Sequence, residues 1–224
     1  MTEAEARQMF GSPLGHSFYD RDAVSVARDL LGCVLIRVMP EGVAAGRISE
    51  TEAYSQDDPA SHSYGGKRTR NAPMFGPPGH AYIYFIYGAH YCLNAVTGAE
   101  GVGGAVLIRA LEPLAGVEPM QARRGLTDTE TAARTEAAAE RMRIRRLQQL
   151  CGGPGRLCQA FALDLTYSGV DLTLGSPLWI ASPREPADPD AIMATPRIGI
   201  SRAQDCLWRF TLRGDPFTSR GLTK

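Results

Sequence analysis

Two carboxylates and a phenol stand at alternate positions in Glu50-Thr51-Glu52-Ala53-Tyr54, at the end of a strand predicted over Val43 to Ser49. A period of two puts Glu50, Glu52 and Tyr54 on one face and Thr51 and Ala53 on the other. A solvated strand end would have this pattern, and so would a cleft-lining carboxylate able to take a proton from water. A second cluster follows, in which Tyr82, Tyr84 and Ile86 alternate with Ile83, Phe85 and Tyr87 ahead of Gly88-Ala89-His90. A two-sided core strand accounts for Ile83 and Phe85. It accounts poorly for phenols gathered at a tight tip beside a basic loop, whereas stacking on nucleic-acid bases, worth roughly 1–3 kcal/mol per base, needs such rings.

The charge is unevenly spread. The formal net charge is zero, but residues 1–60 carry ten acidic and five basic groups, while no acidic residue lies between Asp58 and Glu100, where Lys67, Arg68 and Arg70 fall. The same stretch holds His62, His80 and His90 and five of the eight tyrosines. His80 and His90 read as polar surface or turn residues, because no compact carboxylate or cysteine set accompanies them. The five cysteines form no CxxC or CxxxC pair, so neither a structural zinc nor a disulfide framework is expected, and reduced thiols are the default. Only Lys67 and Lys224 supply side-chain primary amines, against 22 arginines. Gly152-Gly-Pro-Gly155 precedes a short predicted helix, Leu157 to Ala162, whose free amides could hold a phosphate. The Gly-Lys-Ser/Thr ending of a P-loop is missing.

A chain of 224 residues with 44% hydrophobic and 21% charged residues can bury one core, and a single domain over 1–224 is expected. The longest apolar runs fall far below the roughly 20 residues of a membrane span. The N-terminus, MTEAEARQMF, lacks the regions of a signal peptide, and a cytoplasmic address with no membrane partner follows. Asp20 to Leu31 reads as a helix capped by Asp20 and stopped by Gly32. Cys33 to Val38 and Val43 to Ser49 read as a hairpin turning at Pro40-Glu41-Gly42, and Ala81 to Tyr87 with Tyr91 to Thr97 as a second. Gly104 to Ala110, Val170 to Ile180, Arg197 to Ile200 and Leu207 to Arg213 are strand-like. Residues 55–80, dense in Gly, Pro and Asp, form a surface loop that is either an ordered functional loop or a mobile one. Residues 1–15 are expected as a flexible tail and 122–150 as a helical or mobile insertion rich in Ala, Arg and Glu. The elements lack a βαβ cadence, so the fold class is α+β: a curved, largely antiparallel sheet flanked by helices.

Several of these pieces recur in order in one family. ETEAY at Glu50–Tyr54, Ala60-Ser-His-Ser63 before Gly65-Gly66, Met74-Phe75 with Pro78-Gly79, Tyr82-Ile-Tyr84 with Ile86-Tyr87-Gly88, Cys92-Leu-Asn94, LIRALEP at 107–113 and Gly153-Pro-Gly-Arg-Leu-Cys-Gln-Ala160 closely resemble the alkyladenine (3-methyladenine) DNA glycosylases. The resemblance spans about residues 16–217. It implies a protruding hairpin that inserts into double-stranded DNA, a damaged purine turned out of the stack, and hydrolysis of its N-glycosidic bond. The lesions it implies are 3-methyladenine, 7-methylguanine, ethenoadenine and hypoxanthine.

By the same resemblance Glu52 activates the water with help from Arg109, Tyr54, His62 and Tyr84 hold the flipped base, and Tyr87 fills the vacated stack. Asn94 disfavours guanine, and the backbone at Ile198 helps to hold the water. No cofactor or metal is implied, and a monomer acting on nucleoid DNA, if bacterial, is expected. Tyr64 in the His-Ser loop, Ala89 after the tip glycine and residues 122–150 depart from the family pattern. A lesion-binding protein without catalysis, on the same scaffold, is the alternative. A small-molecule transferase or hydrolase of similar shape would not need the Tyr84 to Tyr87 tip.

Overall fold

The computed structural model describes residues 1–126, 135–183 and 185–219. Residues 1–15 are not the bare tail expected from sequence. They begin with helix α1 (Glu3–Phe10), closed at its start by a reciprocal capping box in which Glu5 N–H donates to Thr2 Oγ1 and Thr2 N–H donates to Glu5 Oε2 at 2.7 Å. The helix buries Ala6, and the Arg7 guanidinium lies over the Trp179 ring, contacts that a reading of local composition could not anticipate.

After α2 (His16–Tyr19), helix α3 (Ala23–Asp29) starts at Asp22, whose carboxylate accepts from Ser25 N–H at 2.9 Å. The cap is thus two residues later than the sequence suggested, and Ala23, Val26 and Ala27 form the buried stripe. Strands β1 (Val34–Met39) and β2 (Gly42–Tyr54) make the first hairpin, with Met39 opposite Gly42. Gly42 takes φ +128°, a conformation open to glycine. β3 (Ala81–Ile86) and β4 (His90–Val96) form the second hairpin, followed by β5 (Ala105–Ala115). Helices α4 (Val117–Arg123), α5 (Glu136–Cys151) and α6 (Pro154–Ala160) come next, then β6 (Leu178–Ala181), β7 (Ile192–Thr195) and β8 (Arg209–Leu212). Part of the expected insertion is therefore helix α5; residues 127–134 lie outside the described residues. Residues 170–177 and 197–200, expected as strand, lie outside the strands.

All strands join one antiparallel sheet in the order β3-β4-β5-β2-β1-β6, with β8 pairing both β2 and β7. This bears out the α+β reading. β2 is thirteen residues long and pairs with β1, β5 and β8 in turn, so its far end, which carries Glu50 to Tyr54, lies between β5 and β8. One face of the sheet carries the main core, where Ala53, Ile83, Leu93, Ala95, Val106 and Ile108 meet Val26, Ala27, Leu150, Leu157 and Phe161 from the helices. On the other face, Ala6 covers Val34, Ile36, Val43, Trp179 and Ala181 toward the β1 and β6 edge. Met74 and Phe75 pack on Tyr82, Val96 and Ala105 toward the β3 edge.

Residues 55–80 are knitted to the sheet rather than left loose. Buried Asn71 donates to the carbonyls of His62 and Gly66, and its own amide oxygen accepts from Arg68 N–H at 2.6 Å. Ser63 Oγ donates to Gly103 O at 2.8 Å, and a Cβ at Gly103 would meet Ser63 and Phe75 at under 3 Å. Glycine is required there by this close approach.

Candidate active site

Strand register lays one row of side chains across the sheet. Tyr82 is opposite Asn94, Asn94 opposite Leu107, and Leu107 opposite Glu52. Directly opposed residues share a face, so β3, β4, β5 and β2 each contribute to the same surface. Tyr84, Cys92 and Tyr54, two positions along their strands, stand on it too.

Arg109, two residues beyond Leu107 on β5, shares this face, and the ladder is irregular beside it. The partners of β2 step from Glu50 opposite Ala110 to Thr51 opposite Ile108, which leaves Arg109 outside the register. Its guanidinium lies between two carboxylates. Arg109 Nε donates to Glu50 Oε1 at 2.9 Å, and Nη1 lies 3.3 Å from Glu52 Oε1.

Glu50 and Glu52 share a face, as alternation predicted, but their partners give them different capacities. Glu50 is fully buried and accepts from Arg109 Nε, Arg209 Nε, Ser219 Oγ and Ser219 N–H. Four donors saturate it as an anchor for the 215–219 segment. Glu52 accepts the Ile198 N–H on Oε1 at 2.8 Å and the Tyr54 hydroxyl on Oε2 at 2.8 Å. Its three partners, Tyr54, Arg109 and Ile198, all line the cleft. Burial, and then the negative charge of Glu52, push the Tyr54 phenol well above the usual tyrosine range, so it remains the donor in that bond. At Ile198 the backbone group that meets Glu52 is the amide N–H.

The cleft measures about 1410 Å³, larger than the roughly 300–1,000 Å³ of a small-molecule pocket. Tyr54, His62, Tyr84 and Asn94 line it together. His62 packs edge-on to Tyr84 with ring centroids 4.5 Å apart, and its Nδ1 is 2.9 Å from Tyr82 Oη. The residue keeps surface open to the cleft, but burial of the ring against these tyrosines, and then the charge of Arg70, lower its proton affinity below the ordinary histidine value. Burial also raises the Tyr82 phenol to about 12. Asn94 is buried, with Nδ2 donating to the Tyr82 carbonyl at 2.9 Å, which pins its side chain. Among the described residues, no group of three or more His, Cys, Asp or Glu is gathered as for a metal ion.

At the rim, the β3–β4 turn projects Tyr87, which is 78% exposed and takes φ +54°. A bulky residue rarely adopts that conformation. Phe85, expected from sequence in the core, is instead 49% exposed and packs on Tyr91, because the end of the β3–β4 hairpin runs beyond β5, which pairs with β4 only from Asn94 to Val96. Arginines also line the cleft: Arg124, Arg145 of α5, Arg156 of α6 and Arg202. Sequence reasoning assigned no role to these arginines, nor to Arg209, Ser219 and the buried Asp58–Arg197 pair, since each meets the site across long sequence separations; Arg156 lay within a quoted motif, but nothing local showed that it lines the cleft. Chemically, flat rings grouped beside a clamped carboxylate, in a large arginine-lined cleft, suit a planar ligand carried on an anionic polymer.

Comparison with known proteins identifies the family. The model of the methylpurine-DNA glycosylase family matches residues 17–216. A protein of Methanoculleus marisnigri, provisionally named a 3-methyladenine DNA glycosylase, is 47% identical over 206 residues, covering 91% of this chain and 97% of its own. Proteins with the same provisional name from Carboxydothermus hydrogenoformans (45% identical; 92% of this chain and 98% of its own) and Nitrosospira multiformis (48%; 90% and 91%) are similar to it as well. The chain belongs to the methylpurine-DNA glycosylase family.

Proposed function

We propose that this protein removes alkylated or deaminated purines from double-stranded DNA by hydrolysing the N-glycosidic bond, with 3-methyladenine, 7-methylguanine, ethenoadenine and hypoxanthine as the candidate bases. The observation that carries the reading is the clamp on Glu52: a carboxylate fixed by Tyr54, Ile198 and Arg109 beside the aromatic part of an arginine-lined cleft.

In this reading the duplex lies along the cleft arginines and the damaged nucleotide turns into the cleft. Tyr87 enters the gap, offsetting stacking lost on flipping, a cost of a few kcal/mol that is least at damaged pairs. Tyr54, His62 and Tyr84 hold the base. A purine methylated at N3 or N7 is cationic, and its contact with phenol faces gains about 0.5–2 kcal/mol. From such a cationic base the C1′–N bond breaks with its electron pair going to the purine, which leaves neutral; ethenoadenine and hypoxanthine are not cationic and take up a proton from solvent as they leave. Positive charge passes to the sugar, where the Glu52 carboxylate stabilises it. A water held at Glu52 attacks C1′, its proton passes to the carboxylate, and Arg109 fixes that carboxylate in place. Base, water and proton are all accounted for by groups of the chain and solvent, so the reaction calls on no cofactor and leaves an intact abasic strand. The pinned Asn94 side chain excludes the exocyclic amine of normal guanine.

The test is single-turnover base release on duplexes carrying one lesion each. Release of at least one of the four bases, with none from undamaged duplex, is the expected outcome. Tight lesion binding without any release would support the non-catalytic alternative instead.

A further inference from the structure

Two of the three members of the Glu52 clamp, the Tyr54 hydroxyl and the Ile198 amide, belong to different parts of the chain. One buried ion pair touches both. Arg197 and Asp58 are 5% and 3% exposed, and the Arg197 fork meets the Asp58 carboxylate with both Nη atoms, Nη2 to Oδ1 at 3.0 Å. Arg197 Nη1 also donates to Ala53 O at 2.9 Å, at the end of β2 next to Tyr54. The guanidinium plane lies over the Tyr54 ring at 4.7 Å and the Trp208 ring at 5.2 Å. The residue after Arg197 is Ile198, whose N–H reaches Glu52.

Asp58 faces the other way along the chain. Its Oδ1 accepts from Ala60 N–H at 3.0 Å and its carbonyl from Ser61 N–H at 2.9 Å, which shapes the turn leading directly into His62. A single contact thus joins the end of β2, the loop that brings His62 to the cleft, and the segment that donates to Glu52.

Resting on the function proposed above, we infer that Asp58 and Arg197 are positioning residues coupling the base-holding loop to the Glu52 clamp. Stability alone does not explain the pair. A buried ion pair adds little net stability over an apolar pair of similar volume, whereas a planar fork held bidentately and stacked against two rings fixes orientation as few other contacts do. A clamp member misplaced by about 1 Å can lower a rate by about 100-fold.

The experiment compares wild type, Asp58→Asn, Arg197→Lys, Tyr54→Phe and the Asp58→Asn/Tyr54→Phe double variant on one lesion duplex. Melting is recorded first, and rates are taken well below each midpoint. Asp58→Asn keeps the shape and the bond to Ala60 but loses the charge, and Arg197→Lys keeps the charge but loses the fork, so either one alone provides the test if the other does not fold. Both are expected to lower the single-turnover rate by about 10- to 100-fold while lesion affinity changes by less than about threefold. The losses in the double variant should be less than additive, because Asp58 acts partly through Tyr54. Wild-type-like rates in both single variants, parallel losses of affinity and rate, or full additivity would each overturn the inference. A wild-type protein that releases no base would overturn the function itself, and this inference with it.

Discussion

Replacing Tyr87 by Ala removes a ring that is mostly exposed in the free protein. The side chain is 78% exposed at the turn between β3 and β4, in a backbone conformation disfavoured for any residue with a Cβ, so the substitution should leave the melting temperature within a degree or two. On DNA the same ring is to stand in for a missing base. Aromatic stacking on a base is worth roughly 1–3 kcal/mol, which at 1.4 kcal/mol per decade is about a 5- to 150-fold loss of affinity. Titrating labelled duplexes that carry an abasic-site analogue, where the nucleotide needs no unpairing, isolates the wedge from the pocket. Tyr87→Ala should weaken binding by that factor and Tyr87→Trp should restore most of it. Phe85→Ala serves as the control, since Phe85 sits one strand position before Ile86 and packs on Tyr91. Unchanged affinity in Tyr87→Ala, or a larger loss in a folded Phe85→Ala, would refute the wedge.

Three further outcomes are expected. His62 holds its proton less firmly than a free histidine because of burial and Arg70, so it is neutral at pH 7 and gains charge only as pH falls through a value below about 6.5; affinity for a duplex carrying a cationic methylpurine should then drop in that window more than affinity for a neutral ethenoadenine duplex, and the difference should vanish in His62→Phe. The folded protein binds fewer protons at this site than the unfolded chain does, so the same acidification also lowers stability, and the titration belongs at a temperature well below the melting point; a pH-independent ratio of the two affinities would reject the assignment. Asn94→Ala removes a pinned side chain from the cleft and should raise release of guanine-type lesions relative to adenine-type ones, measured by single-turnover rates on matched duplexes; an unchanged ratio would place guanine exclusion elsewhere. Borohydride added during turnover should trap no protein–DNA adduct, because a Schiff base needs a suitably placed amine and Lys67 lies in the exposed loop ahead of Asn71; a Lys67-dependent adduct would replace water as the nucleophile.

Sequence order carried the two hairpins and the alternation at Glu50, Glu52 and Tyr54, because strand periodicity is local. Periodicity alone could not separate Glu50 from Glu52, and only the family resemblance singled out Glu52. That difference depends on Arg209 and Ser219, which arrive from 159 and 169 residues away. That Arg109 meets both carboxylates is visible only once β5 is paired with β2. The N-terminal helix escaped the sequence reading for a similar reason: Ala6 and Arg7 are unremarkable until Trp179 of β6 is beneath them. The arginine lining was hidden because a neutral total charge averages the arginines of α5 and α6 with the acidic first 60 residues.

The most direct test of the central claim is Glu52→Gln assayed beside wild type on one lesion duplex, with base release and binding measured on the same samples. The amide keeps the shape and can still accept from Ile198, and Arg109 keeps its bond to Glu50, so the variant should fold and bind the lesion within about threefold of wild type. It cannot accept a proton from water, and general-base assistance is worth about 100- to 10,000-fold. The account predicts a single-turnover rate lowered by at least about 100-fold; more than about a tenth of the wild-type rate would contradict it.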